Sequence, residues 1–313
     1  MAIQGGYDLT MVGIEAEATF GTDAADTRAR WPGIVTSIPN PTEDYGKTVI
    51  RGLGSGRDPG MFYRTKKEIG LAIESLLNQD DTTTASIFGL ALGTCAGGTV
   101  TNTDTLRSFT LETGYNTGAG SAWYELYTGC RVETLSLSLN SGEACTLNAT
   151  MFAKDLTRGA AEVNCATTDL SELTEHATKP FTMEDVTITF GSAGAQIVST
   201  FNLDINNSIS RLYGLSGSST IAESFATKRD VTGSFTAIKQ SDTLMDKFLS
   251  DPFNGTETIT LTLSKNSAAE KVVITLTDCR LLSRDFSRPG DDVKELEESY
   301  DFHAGSITVN GIV

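Results

Sequence analysis

The side chains best suited to proton transfer near neutral pH are His176 and His303. Neither has a partner at metal-ligand or triad spacing, so a zinc site or a His-activated nucleophile has nothing to be built from. GLGSGRDPG, residues 52 to 60, clusters its glycines but departs from GxGxxG, and no Lys-Ser or Lys-Thr follows. It reads as a loop, not a phosphate cradle. Asp80-Asp81 and Asp291-Asp292 offer oxygen ligands for calcium, yet no EF-hand spacing surrounds them. Helix-start and turn roles suit them better. The five cysteines, at 95, 130, 145, 165 and 279, are odd in number and form no CxxC pair. Free thiols in a protein folded in a reducing cytoplasm are expected, not a disulfide framework. Three glycosylation sequons start at Asn148, Asn206 and Asn254, and are expected by chance in a chain rich in Asn and Thr. No catalytic constellation emerges; an enzyme, a cofactor and a metal are not expected.

Charge recurs instead in a pattern. YRTKKEI starts at Tyr63 and FATKRDV at Phe225, so that Thr65 and Thr227 lie 162 positions apart. Lys66, Lys67 and Glu68 thus match Lys228, Arg229 and Asp230. Solvated strand ends explain such triplets; salt bridges to a neighbouring copy are the functional reading. A second pair follows in the same order: Cys130-Arg131 in TGCRVETL and Cys279-Arg280 in TDCRLLSR. The first interval is longer by a segment near TCAGGTVTNTDTLRS, read as a loop insertion.

The elements around these phrases agree. Residues 80 to 93 and 241 to 251 each join helix-start residues to an apolar run. SFTLETG…SAWYELYTGC and TITLTLSKNSAAEKVVITLTDC each read as two strands and a turn. The fold expected is mainly β: two tandem β-sandwich or barrel units, each with a short flanking helix. Residues 1–34 form an N-terminal arm that orders on a neighbour, with Glu15 and Glu17 as candidate contacts. Residues 35–157 form the first unit, 158–180 a polar joining segment and 181–313 the second unit. In the last strand side chains alternate, with Leu296, Tyr300 and Phe302 on one face beside Glu298, and Glu295, Glu297, Ser299 and Asp301 on the other. Leu135, Leu137 and Leu139 alternate with small polar residues at the matching place in the first unit.

Across 313 residues, 40 acidic and 24 basic side chains give a net charge of −16. Such a surface keeps the protein soluble and opposes tight DNA binding, which needs a positive footprint. The start of the chain has no basic segment, and Glu15 and Glu17 interrupt its apolar residues, so a cleaved signal is not expected. No stretch approaches the ~20 apolar residues of a membrane span, and no membrane partner is expected.

GIEAEATFGT (13–22), STFNLDINNSISRLYGLSG (199–217), ATKRDVTGSFTA (226–237) and PGDDVKELEESYDF (289–302) resemble, in order, the tail tube proteins of long-tailed bacteriophages and archaeal tailed viruses. The resemblance implies a β-sandwich or barrel that assembles into stacked rings in the virion tail, after synthesis in the host cytoplasm. The inner strands would form a continuous β-barrel channel through which genomic DNA passes without specific binding. Two fused units per chain would let three copies fill six ring positions. Partners implied are further copies of itself and the tape measure, tail terminator and baseplate proteins. Within that reading Glu295, Glu297 and Asp301 are the channel-facing candidates. A capsid decoration or baseplate protein is the alternative.

Overall fold

The computed structural model describes residues 8–22, 29–31, 33–37, 39–50, 61–78, 87–96, 99–116, 122–159, 179–215, 218–239, 241–250, 257–265, 271–287 and 296–310. Glu295, His176, the 52–60 loop, the start of the 80–93 segment and most of the joining segment lie outside them.

In chain order the first half contains β1 (Asp8–Ala16), β2 (Ala29–Arg30), β3 (Ile34–Val35), β4 (Thr42–Asp44), β5 (Lys47–Ile50), β6 (Met61–Arg64) and β7 (Glu68–Leu76). It continues with α1 (Ile87–Leu92), β8 (Gly93–Ala96), β9 (Thr99–Asn102), β10 (Phe109–Asn116), β11 (Ala122–Asn140), β12 (Thr146–Ala153) and β13 (Asp155–Gly159). The second half contains β14 (Val186–Phe190), β15 (Gly194–Ala195), β16 (Val198–Asn206), β17 (Ile209–Leu212), β18 (Glu223–Ala226) and β19 (Asp230–Ile238). It ends with α2 (Thr243–Ser250), β20 (Glu257–Ser264), β21 (Lys271–Ser287), β22 (Glu297–Ala304) and β23 (Ser306–Asn310). The protein is mainly β, as its Thr-rich alternating segments predict.

The two longest strands, β11 and β21, organise the architecture. Each serves two sheets. The first part of β11 pairs with β10 and β13, and its second part with β12 and β16. The first part of β21 pairs with β20 and β23, its second part with β22. Each bends at a residue in the left-handed region, Gly129 at φ 64° and Asp278 at φ 54°. A register slip follows in both, after Val132 and after Leu281. Such irregularities increase strand twist and turn a strand from one layer into another.

One long sheet results, in the order β4, β7, β12, β11, β16, β19, β22, β21, all antiparallel. Its apolar face is legible in period-2 alternation: Ile69, Leu71 and Ile73 on β7, Phe201, Leu203 and Ile205 on β16, all buried. Outer sheets cover that face, β1–β10–β11 over the first half and β14–β20–β21–β23 over the second. Phe190 of the outer layer lies 4.5 Å from Phe235 of the long sheet, which packs on Tyr300 at 5.3 Å. The buried apolar side chains of α1 and most of those of both layers join one core.

Two expectations change. The opening segment is more than an arm: β1 pairs along its length with β10, and Trp31 is buried, its amide donating to the Val12 carbonyl. Short Gly-interrupted strands hide that role because they acquire an apolar neighbour only after pairing. The presumed loop insertion is a hairpin, β8–β9, and β9 pairs with β23 of the second half. Its Thr-rich composition suits an edge strand as well as a loop.

Candidate functional face

On the other face of the long sheet the described polar side chains are exposed or half-buried, Glu74, Asn148, Asp204 and Asp301 among the exposed ones. That face is hydroxyl- and amide-rich. One row crosses six strands as Glu74, Asn148, Ser136, Asp204, Thr232 and His303. The next reads Thr146, Ser138, Asn202, Ser234, Asp301 and Ser283. Neighbours satisfy one another: Ser136 donates to the Asp204 carboxylate at 2.5 Å and Ser138 to Asn202 at 2.7 Å. Ser283 donates to Asp301, and Thr236 and Ser299 share a hydrogen bond of 2.9 Å. Asp204 and Asp301 are exposed, with Glu297 half-buried nearby. His303 stands 3.8 Å from Asp230. A surface of short, mutually hydrogen-bonded side chains with scattered carboxylates presents little apolar area and repels polyanions.

Of the predicted channel residues, Glu297 and Asp301 lie on this polar face with Ser299, while Glu295 is outside the described residues. Glu298 lies beneath, only 2 % exposed. It accepts from Tyr300 Oη at 2.6 Å and Arg284 Nη2 at 2.8 Å, with Lys239 at 3.4 Å. Burial pushes its pKa up, but the hydrogen bonds from Tyr300 and Arg284 outweigh burial and hold it below the usual carboxylate range.

The repeated phrases form the bases of two twin hairpins, β5–β6 and β17–β18. Thr65 closes the first with its amide and hydroxyl on the Gly46 carbonyl, at 2.8 and 2.9 Å. Thr227 closes the second on Ser208 in the same way, at 3.2 and 2.6 Å. Gly46 and Ser208 both adopt positive φ, 34° and 41°, so each phrase marks one tight left-handed turn. The hairpins leave matching apolar side chains in solvent, Ile50 and Tyr63 on one, Leu212 and Phe225 on the other.

The charged members of the phrases bind within the chain. Lys66 pairs with Glu68, Lys67 with Asp155 at 2.6 Å, and Lys228 with Asp230 at 2.7 Å. The Lys66 contact, with the Tyr213 hydroxyl, holds Glu68 below its usual range despite the opposing effect of burial. Arg229 differs: its Nη2 donates to the carbonyls of Leu92 and Thr103, at 3.1 and 2.9 Å, and its Nε to Asn207. Asn207, fully buried, donates to the carbonyls of Ala91 and Val132 at 2.9 and 3.0 Å. Together they satisfy the end of α1 and fasten the second half onto the first. Glu17 is buried too, accepting from the amides of Gly21 and Gly129 and from Thr110, so its carboxylate is spent within the chain. Glu15 sits half-buried on β1.

Sequence reasoning missed Asn207 and Arg131, whose guanidinium crosses to the carbonyl and hydroxyl of Ser224. The signal for Arg131 was the repeated Cys-Arg phrase; for Asn207, a polar residue ending an alternating strand gave none. Among the described residues no group of His, Cys, Asp and Glu could hold a metal, and no helix is long and apolar enough to cross a membrane.

A family model described as phage tail tube protein matches residues 9–304. No curated protein matches the chain.

Proposed function

This chain belongs to the phage tail tube protein family, and from that membership we propose that its long sheet is the wall of a DNA channel in a long-tailed, siphovirus-like virion. The family makes it a structural protein of the tail tube. The host, bacterium or archaeon, is left open by this reading. The observation that carries the proposal is the eight-strand sheet, apolar and covered on one side, polar and open on the other.

Two tandem units, 35–157 and 181–313, each contribute four strands to that wall, and 1–34 adds β1 to the first unit's outer sheet. Repeated registers support the duplication. Arg131 opposes Phe152 as Arg280 opposes His303, and Phe109 opposes Cys130 as Glu257 opposes Cys279. Three copies then fill six positions of a ring, with Glu297 and Asp301, and Glu295 beyond them, facing the lumen. Carboxylates there keep phosphates from adhering while DNA passes. The exposed apolar side chains of the twin hairpins, Ile50 and Tyr63 on one and Leu212 and Phe225 on the other, are suited to ring stacking, and the triplets Lys66-Lys67-Glu68 and Lys228-Arg229-Asp230 flank those stacking contacts. Tape measure, terminator and baseplate proteins would occupy the lumen and the two ends.

Negative-stain microscopy beside mass photometry tests this reading. Hollow stacked rings built on multiples of three chains are expected. A small closed oligomer that never stacks, even with a tail initiator added, would point to a decoration protein instead.

A further inference from the structure

Within the long sheet the two halves meet at a strand pair, β11 with β16, running from Thr134 opposite Asn206 to Asn140 opposite Thr200. Among the described residues the second part of β21 has no such partner: from Arg280 to Ser287 it pairs with β22 alone. β4 pairs with β7, and its other edge has no strand partner among the described residues. The two open edges are the counterparts of the two paired ones. β21 follows β11 through the Cys-Arg phrases, and β4 follows β16, because Thr42 opposes Gly70 as Asp204 opposes Thr232. We propose that the β21 edge of one copy pairs antiparallel with the β4 edge of a second copy of this chain, in the register of the internal junction.

That register is fixed by the correspondence. Thr134, Leu135 and Ser136 become Ser283, Arg284 and Asp285; Asn206, Ile205 and Asp204 become Asp44, Glu43 and Thr42. Ser283 then stands opposite Asp44, Arg284 opposite Glu43, and Asp285 opposite Thr42.

The chemistry of the edges fits. Ser136 donates to Asp204 at 2.5 Å in the internal junction; Thr42 and Asp285 repeat that hydroxyl–carboxylate pair with the roles exchanged. The buried apolar pair Leu135 and Ile205 is replaced by Arg284 and Glu43, opposite charges. On the β21 edge one carboxylate, Glu298, is shared by two cations, Arg284 and Lys239, the latter also held by Asp242. On the β4 edge one cation, Arg158, is shared by two carboxylates, Glu43 and Glu125. Arg284 Nε is buried without a hydrogen-bond partner, a donor left for the copy across the seam. The Phe286 amide is held by its own neighbour's side chain, Asp285 Oδ1, at 2.8 Å, as a strand edge without a ladder partner requires. Pro41 would oppose Phe286 and lacks an N–H, which removes one ladder bond and marks an edge position. The seam between copies is therefore ionic where the seam within a copy is apolar, so the two cannot interchange without burying an unpaired charge.

Cysteine cross-linking tests the register. In the internal junction the amides of Asn207 and Ser141 bond across to Glu133 and Ser199, which leaves Ser136 and Asp204 a non-hydrogen-bonded pair with close Cβ atoms. Thr42 and Asp285 inherit that geometry, and their side chains are exposed. Thr42→Cys with Asp285→Cys, oxidised and run without reductant, is expected to give disulfide-linked oligomers at least about tenfold above Thr42→Cys with Ser283→Cys, whose diagonal separation is ~7–8 Å. The parental cysteines seen in the fold, Cys130, Cys145 and Cys279, are buried and supply the background control. Equal cross-linking in the two variants, more in the shifted one, or none in either, overturns the proposal. The inference rests on the ring reading but can fail apart from it. Hollow tubes without this cross-link remove the seam and keep the tube, whereas in-register cross-links in particles that never stack keep the seam and remove the tube.

Discussion

Glu298 occupies a core-facing position of β22 between Glu297 and Ser299, and it is tolerated there because Tyr300, Arg284 and Lys239 surround its carboxylate. Its pKa in the fold lies below the usual carboxylate value, since those partners outweigh burial. A group with a depressed folded pKa contributes stability at pH above its unfolded value, and that contribution is lost as pH falls through the folded one. Glu298→Gln should therefore cost about 1–3 kcal/mol near neutral pH and much less in acid. Thermal scans of parent and variant through the acid range check this; parallel loss of stability at every pH would assign the acid sensitivity elsewhere. A second pair speaks to the duplication. Gly129 at φ 64° faces Lys154, whose Cβ would lie 2.7 Å from an added Cβ. At the matching bend Asp278 faces Gly305, where an added Cβ would lie 2.8 Å from that of Asp278. The bulk has changed sides. Gly129→Ala should destabilise by about 1–3 kcal/mol, and Lys154→Gly in the same chain should recover part of it. A double-mutant cycle by chemical denaturation reads the coupling, and additivity of the two changes would dissociate them.

At the scale of elements, the halves are joined by two strand pairs, β11–β16 and β9–β23, and by a polar clasp. Asn207 and Arg229 satisfy carbonyls at the end of α1 that no helical amide reaches. Asn207→Ala strands the buried carbonyls of Ala91 and Val132 and should cost about 1–3 kcal/mol. The loss falls on the junction, so calorimetry should show the single unfolding transition broaden or split; a uniform downward shift with unchanged width would mean that the clasp stabilises one half only. The core strands were legible because their alternation depends on local sequence alone: Leu135, Leu137 and Leu139 announce β11, and α2 appears where Leu244 and Phe248 predict it. The β8–β9 hairpin was not legible, because its partner β23 lies some 200 residues away and supplies the reason for it to be a strand. Trp31 likewise gives no local sign that β1 and Ser75 will enclose it.

At the scale of the whole molecule, the polar face was half legible. Alternation places Glu297, Ser299 and Asp301 together, but only the sheet order brings Asp204 and Glu74 onto the same wall. The wall's charge then makes a prediction distinct from any fold argument. Asp204 and Asp301 are exposed, and their hydrogen-bond partners are single serines, so Asp204→Lys with Asp301→Lys should leave folding and ring assembly near parental levels. In a lumen, the same change replaces repulsion of the DNA backbone by attraction at every ring. Cationic contacts with phosphate weaken steeply as salt rises, and exposed charges are screened over about 10 Å at 0.1 M salt. Genome ejection from particles carrying both reversals should thus be slow at low ionic strength and return toward the parental rate as salt is raised. Dye release on triggered ejection, followed across a salt series, measures this. Unchanged ejection at low salt would move these carboxylates out of the lumen; slowing that salt does not relieve would indicate a distorted channel, not a charged one.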